Sequence, residues 1–130
     1  MAGPSNLKGR PLSPHIQVWR WHVTMAGSIL HRASGAALYA AAVGMAIWLT
    51  ALAAGPGPYA LVETILASLI GQLGLYALTV AIAYHLANGI RHLVWDSGRG
   101  YNPTTADATG WLVIVFALAA PIGIWALARL

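Results

Sequence analysis

Of the 130 residues, 58% are aliphatic or aromatic and only 8% are charged, against roughly 25% charged in an ordinary soluble domain, so the length and composition describe one domain in a membrane. The absence of cysteine excludes disulfides, thiolate metal sites and the thioether attachment of c-type haem. The net charge of +4 rests on Lys8, Arg10, Arg20, Arg32, Arg91, Arg99 and Arg129, which flank apolar runs and form no dense cluster, a topology signal rather than a nucleic-acid patch.

The first 24 residues are polar and proline-rich. Pro11 and Pro14 discourage helix, while Trp19, Trp21 and the interleaved arginines suit an arm lying against headgroups or a partner subunit. The charged stretch ahead of the first apolar run is too long for a signal peptide, and the pattern of a transit peptide is missing. Trp21 and His22 receive no role from the sequence.

Thirty uncharged residues separate Arg32 from Glu63. The strongly apolar part predicts a first transmembrane helix over about 27–54, since ~20 residues at ~1.5 Å each already span a ~30 Å bilayer core. Gly55-Pro56-Gly57-Pro58 is expected to end it in an uncharged loop. A second helix is expected over about 62–92. Its uncharged stretch, residues 64–90, would be ~40 Å long as helix and must tilt or project. Along it Gly71, Gly74, Leu78, Ala81, His85, Gly89 and His92 recur at three- and four-residue steps, hence on one face. Small residues there would admit another helix or a flat macrocycle. After a polar loop over 97–109 comes a third helix, about 110–128, with Trp111 and Trp125 near its ends and Pro121 expected to bend it. The fold class is therefore an all-α membrane protein with three transmembrane helices. The basic arm, with Arg91 and Arg99 in the second loop, puts the N-terminus on the cytoplasmic side by the positive-inside rule.

Two groups then meet at that cytoplasmic end. Ser28, His31, Arg32 and Gly35 share a face of the first helix, and His85, Gly89 and His92 share a face of the second. His85 lies five residues inside Ile90, about 7 Å along the axis, where a histidine needs a partner that offsets its desolvation. Neutral imidazole ligates haem iron well, and Arg32, His31, Arg91 and His92 nearer the water could face the propionates. The plainer alternative is that His85 hydrogen-bonds a backbone carbonyl of a neighbouring helix. Ser28 and Arg32, one turn apart, could hydrogen-bond a quinone carbonyl and stabilise the charge that builds up on reduction. Arginines at helix ends also commonly just reach for lipid phosphates. Asp96 is either a proton relay to that site or a solvated loop residue.

Three motifs carry a resemblance along nearly the whole chain: Arg10-Pro11-Leu12-Ser13-Pro14-His15, Ser28-Ile29-Leu30-His31-Arg32-Ala33-Ser34-Gly35, and His85-Leu86-Ala87-Asn88-Gly89-Ile90-Arg91-His92-Leu93-Val94-Trp95-Asp96. With the three-helix layout, they resemble the cytochrome b membrane anchors of succinate dehydrogenase, respiratory complex II. The resemblance implies that His85 is an axial ligand of a b-type haem in a bundle shared with a second small anchor subunit, which supplies the opposite ligand. It implies that Ser28 and Arg32 line the ubiquinone site, and that His31, Arg32 and His92 approach the propionates. Electrons would arrive from succinate through a flavoprotein and an iron-sulfur subunit docked on the cytoplasmic face of a bacterial inner membrane. Three rivals stand beside this reading. In one, His31 and His85 ligate a single haem within this chain. In another, the chain is a small proton-coupled transporter subunit using Glu63, and in the third it is a structural anchor without haem.

Overall fold

The computed structural model describes residues 20–129. The arm motif over 10–15 therefore lies outside the described residues. The rest forms four helices, α1 (Val23–Ala54), α2 (Pro56–Ala67), α3 (Leu69–Asp96) and α4 (Pro103–Leu127). Among them, α1, α3 and α4 are long and apolar enough to cross a membrane. The three expected spans are present, but their boundaries differ from the sequence expectation in ways that have local causes.

The first helix starts four residues earlier than expected, because His22 caps it. His22 is extended, with φ −135° and ψ 145°, and its ring accepts from the Thr24 amide. The second ring nitrogen, Nε2, lies 3.3 Å from Asp107 on α4. The histidine left without a role by sequence thus starts one helix and ties it to another.

The Gly-Pro-Gly-Pro stretch is a junction between helices and not an irregular loop. Gly55 closes α1 at φ 105°, a backbone region that side chains with a Cβ rarely enter. Pro56 opens α2 directly afterwards, since a first-turn residue has no intrahelical use for an N–H and the proline ring already fixes a helical φ. The residues that stop one helix start the next.

The second apolar run is likewise broken, at Ser68, which is extended (φ −61°, ψ 158°). Its hydroxyl accepts from the Gly71 amide at 3.1 Å, an N-cap for α3, while Gln72 Nε2 donates to the Leu66 carbonyl freed by the break. Both polar side chains satisfy backbone groups that hydrocarbon would leave unpaired. Gly71 is needed for the bend, as a Cβ there would collide with the backbone of Ile65 and Leu66. Its smallness serves this chain's own turn, whereas Gly74 and Gly89 have nothing within 4 Å of where a Cβ would stand. Only these last two fit the expectation of a face kept open for something else.

The third span begins at Pro103, seven residues ahead of the expectation, with Asn102 capping the Thr104 amide at 3.1 Å. The expected loop over 97–109 shrinks to 97–102. Polar residues misled the sequence reading here, because the first two turns of α4 project Thr104, Thr105 and Asp107 beyond the apolar part.

The end of α3 meets the start of α1, so these two run antiparallel, and the α3–α4 contact is the most extensive, with the α1–α3 contact next. Tyr84, Val113 and Ala117 form the buried centre, flanked by Ala87 and Ile114. The Tyr84 hydroxyl donates to the Gly27 carbonyl at 2.7 Å, fixing α3 against the start of α1. At the far end Trp125 Nε1 donates to Thr79 Oγ1 at 3.2 Å. Most large apolar side chains instead point outward, as Ile70 at 83% exposed illustrates. In a membrane chain such a surface meets lipid or other subunits.

Arg91 is the unusual member of the core. Although charged, it is only 7% exposed. Its Nε donates to Thr109 Oγ1 at 3.0 Å, Nη2 to the Ala106 carbonyl at 2.7 Å and Nη1 to Asn88 Oδ1 at 3.4 Å. The guanidinium also lies 4.0 Å over the Trp95 ring. A planar fork serves these directions together, which an ammonium cannot.

Two outcomes follow in thermal unfolding of the detergent-solubilised protein. Gly71→Ala lowers the midpoint, by the about 1–3 kcal/mol typical of overpacking, whereas Gly74→Ala leaves it unchanged or raises it through better helix propensity. Arg91→Lys keeps the charge but loses the fork, and costs about 1–3 kcal/mol from buried acceptors left unpaired.

Candidate functional site

Where α1 begins and α3 finishes, three imidazoles converge. The rings of His31 and His85 are stacked, with centroids 4.1 Å apart and planes 13° from parallel. His92 also meets His31, 5.1 Å away and tilted by 59°. The i, i+7 spacing of His85 and His92 on α3 delivers both to the α1 side, as the helical period requires. The structure therefore brings together the histidines that the sequence singled out.

Each ring is held differently. His85 rests against the α1 backbone, where a Cβ on Gly35 would stand 3.2 Å from its Cε1. Its Nδ1 lies 3.1 Å from Ser34 Oγ, and its Nε2 has no hydrogen bond among the described residues. His92 Nε2 is 3.2 Å from Asn88 Nδ2, and its ring meets Trp95 edge-on at 5.2 Å. With Asn88 Oδ1 accepting from Arg91, the amide nitrogen is left to donate to His92. Among the described residues His31 Nδ1 is buried without a partner. Such an orphan is costly in a folded chain and calls for a partner beyond the described residues.

Sequence reasoning missed Ser34 and Asn88 as participants. Asn88 is 1% exposed and links the Arg91 and His92 networks. The available signal was an amide in the middle of an apolar run, which in hydrocarbon needs partners on both ends. Arg91, expected near the propionate edge, turns instead to α4, because one residue of helix separates it by about 100° from His92.

Ser28 and Arg32 are both exposed on α1 and make no hydrogen bond or ion pair among the described residues. They form an outward-facing hydroxyl and guanidinium one turn apart, not part of the histidine cluster's own hydrogen bonds. Asp96 ends α3 and is exposed. Glu63 is exposed on α2, which is not one of the three candidate spans.

The donor set fits a haem. Among the described residues no group of three histidines, cysteines or acids could cage a bare metal ion. An imidazole with an uncommitted Nε2, such as His85, set in apolar helices, suits iron that brings its own macrocycle.

Comparison with known proteins identifies a family. Residues 6–124 match the family model described as succinate dehydrogenase/fumarate reductase transmembrane subunit. The chain is 36% identical over 116 residues to the succinate dehydrogenase cytochrome b556 subunit of Rickettsia felis, covering 89% of this chain and 90% of that one. It is 40% identical over 95 residues to the cytochrome b556 subunit of Paracoccus denitrificans, 73% of each chain. Against the mitochondrial cytochrome b560 subunit of Sus scrofa, identity is 34% over 123 residues, 91% of this chain and 71% of the relative. With three membrane-crossing helices and a histidine cluster between two of them, the chain belongs to the succinate dehydrogenase/fumarate reductase transmembrane subunit family and is a membrane subunit of that enzyme.

Proposed function

We propose that the chain binds a b-type haem and part of a quinone site, and anchors the catalytic subunits of a succinate:quinone oxidoreductase to a bacterial inner membrane. The observation that carries this reading is the His85 ring, held on one side by His31 and Ser34 with Nε2 uncommitted. When bound, the haem supplies a one-electron carrier close to the quinone.

In this reading His85 Nε2 would hold the haem iron, together with a histidine of the second small anchor subunit. The orphaned Nδ1 of His31, together with His92 and the exposed Arg32, supplies hydrogen-bond donors and positive charge for the propionates. Ser28 and Arg32 donate to a ubiquinone carbonyl. The arginine charge stabilises the negative charge that builds up on that oxygen, and the hydroxyl orients it. Both residues face outward, so the quinone pocket is completed by the iron-sulfur subunit and the second anchor. Electrons reach it from succinate through the flavoprotein and the iron-sulfur subunit. By the positive-inside rule, the basic residues of the arm together with Arg91 and Arg99 favour the cytoplasmic side for the N-terminus and this site.

Reduced-minus-oxidised spectra of the purified complex test the ligand. His85→Ala abolishes the b-type bands, while His31→Ala keeps them; an unaltered spectrum for His85→Ala sinks the assignment, and loss of haem in both variants revives ligation within one chain. Ser28→Ala and Arg32→Ala each lower succinate:ubiquinone reductase activity, by roughly 10²-fold for a lost charge-stabilising donor, and leave succinate oxidation with a soluble dye intact. Equal loss in both assays would assign these residues to assembly.

A further inference from the structure

We infer that Ser34 is a positioning residue that sets the His85 imidazole in the one tautomer able to bind iron through Nε2. The inference rests on the proposed role of His85 and goes beyond it, to the group that selects which ring nitrogen is free.

Ser34 is buried, 8% exposed, in the seam between α1 and α3. A hydroxyl has one hydrogen, and that of Ser34 goes to the His31 carbonyl three residues back, at 2.9 Å. The same habit recurs through the chain, with Thr50, Thr64 and Thr79 each donating to the carbonyl four residues back at 2.7–2.8 Å. With its hydrogen committed, Ser34 Oγ offers only lone pairs to His85 Nδ1, 3.1 Å away. Nδ1 must then be the donor. A neutral imidazole carries a single N–H, so a hydrogen on Nδ1 leaves the lone pair on Nε2, the nitrogen without a hydrogen bond among the described residues.

The reverse arrangement, with the hydroxyl donating to Nδ1, would put the hydrogen on Nε2 and remove its capacity to bind a metal. Two contacts keep the ring where the hydroxyl can act: the close approach of Gly35 to Cε1 and the stacked face of His31. An acceptor on Nδ1–H also makes the ring a stronger electron donor, which favours ferric over ferrous iron. Ser34 thereby lowers the midpoint potential as well as tightening the haem.

The test uses the assembled complex. In Ser34→Ala, redox titration of the b-type absorbance gives a higher midpoint than wild type, and transfer of haem to excess apomyoglobin reports an affinity about 10–100-fold weaker. Ser34→Thr, which keeps the hydroxyl, restores both. A Ser34→Ala complex with wild-type potential and wild-type haem retention overturns the inference. Should that variant not assemble, Ser34→Cys provides a weak acceptor at the same place; an upward shift supports the inference and an unmoved potential overturns it. A His85→Ala complex that keeps its haem removes the ligand assignment itself. Haem lost in His85→Ala beside an unmoved Ser34→Ala removes only the role of Ser34.

Discussion

The hydrogen bond from Tyr84 to the Gly27 carbonyl, 2.7 Å long and buried, sets the depth at which α3 crosses α1. One residue along the chain, that same register delivers His85 to the backbone of Gly35 and the hydroxyl of Ser34. Small side chains on α1 make the approach possible. A bulkier residue at position 35 would push the imidazole away from the helix, and the histidine stack would lose its inner member. The cluster is thus a consequence of close helix packing, achieved in a medium where dispersion contacts and hydrogen bonds, not water exclusion, hold helices together.

The end of α3 carries two separate polar systems. Toward α1 it presents His85 and His92; toward α4 it presents Arg91, whose donors are directed to Thr109, Ala106 and Asn88. Asn88 is shared, its oxygen on the Arg91 side and its nitrogen on the His92 side. This division separates a charge that fastens α3 to α4 from the imidazoles that face α1. Arg32, on a different helix, faces outward.

Outward exposure of Ser28, Arg32 and most large apolar side chains describes a chain whose surface is finished by lipid and by other subunits. Family membership supplies the same picture from an independent direction, since the matched family consists of transmembrane subunits. The buried His31 nitrogen, without a partner among the described residues, belongs to the same pattern.

Sequence alone determined the three spans, the antiparallel meeting of His31 with His85 and His92, and the family, because apolar run length and helical periodicity are local properties that motifs at fixed spacing record. It misplaced the helix junctions at Pro56, Ser68 and Pro103, where the same residue types both end and begin helices and only the cap geometry decides which. It assigned Arg91 to the haem edge because a residue count places neighbours on a helix without saying which neighbouring helix each one meets. The stacking of His31 on His85, the bond from Ser34 and the diversion of Arg91 to α4 were decided by tertiary structure. Each depends on the distance between helices, and that distance is set by which small residues happen to face each other across the seam.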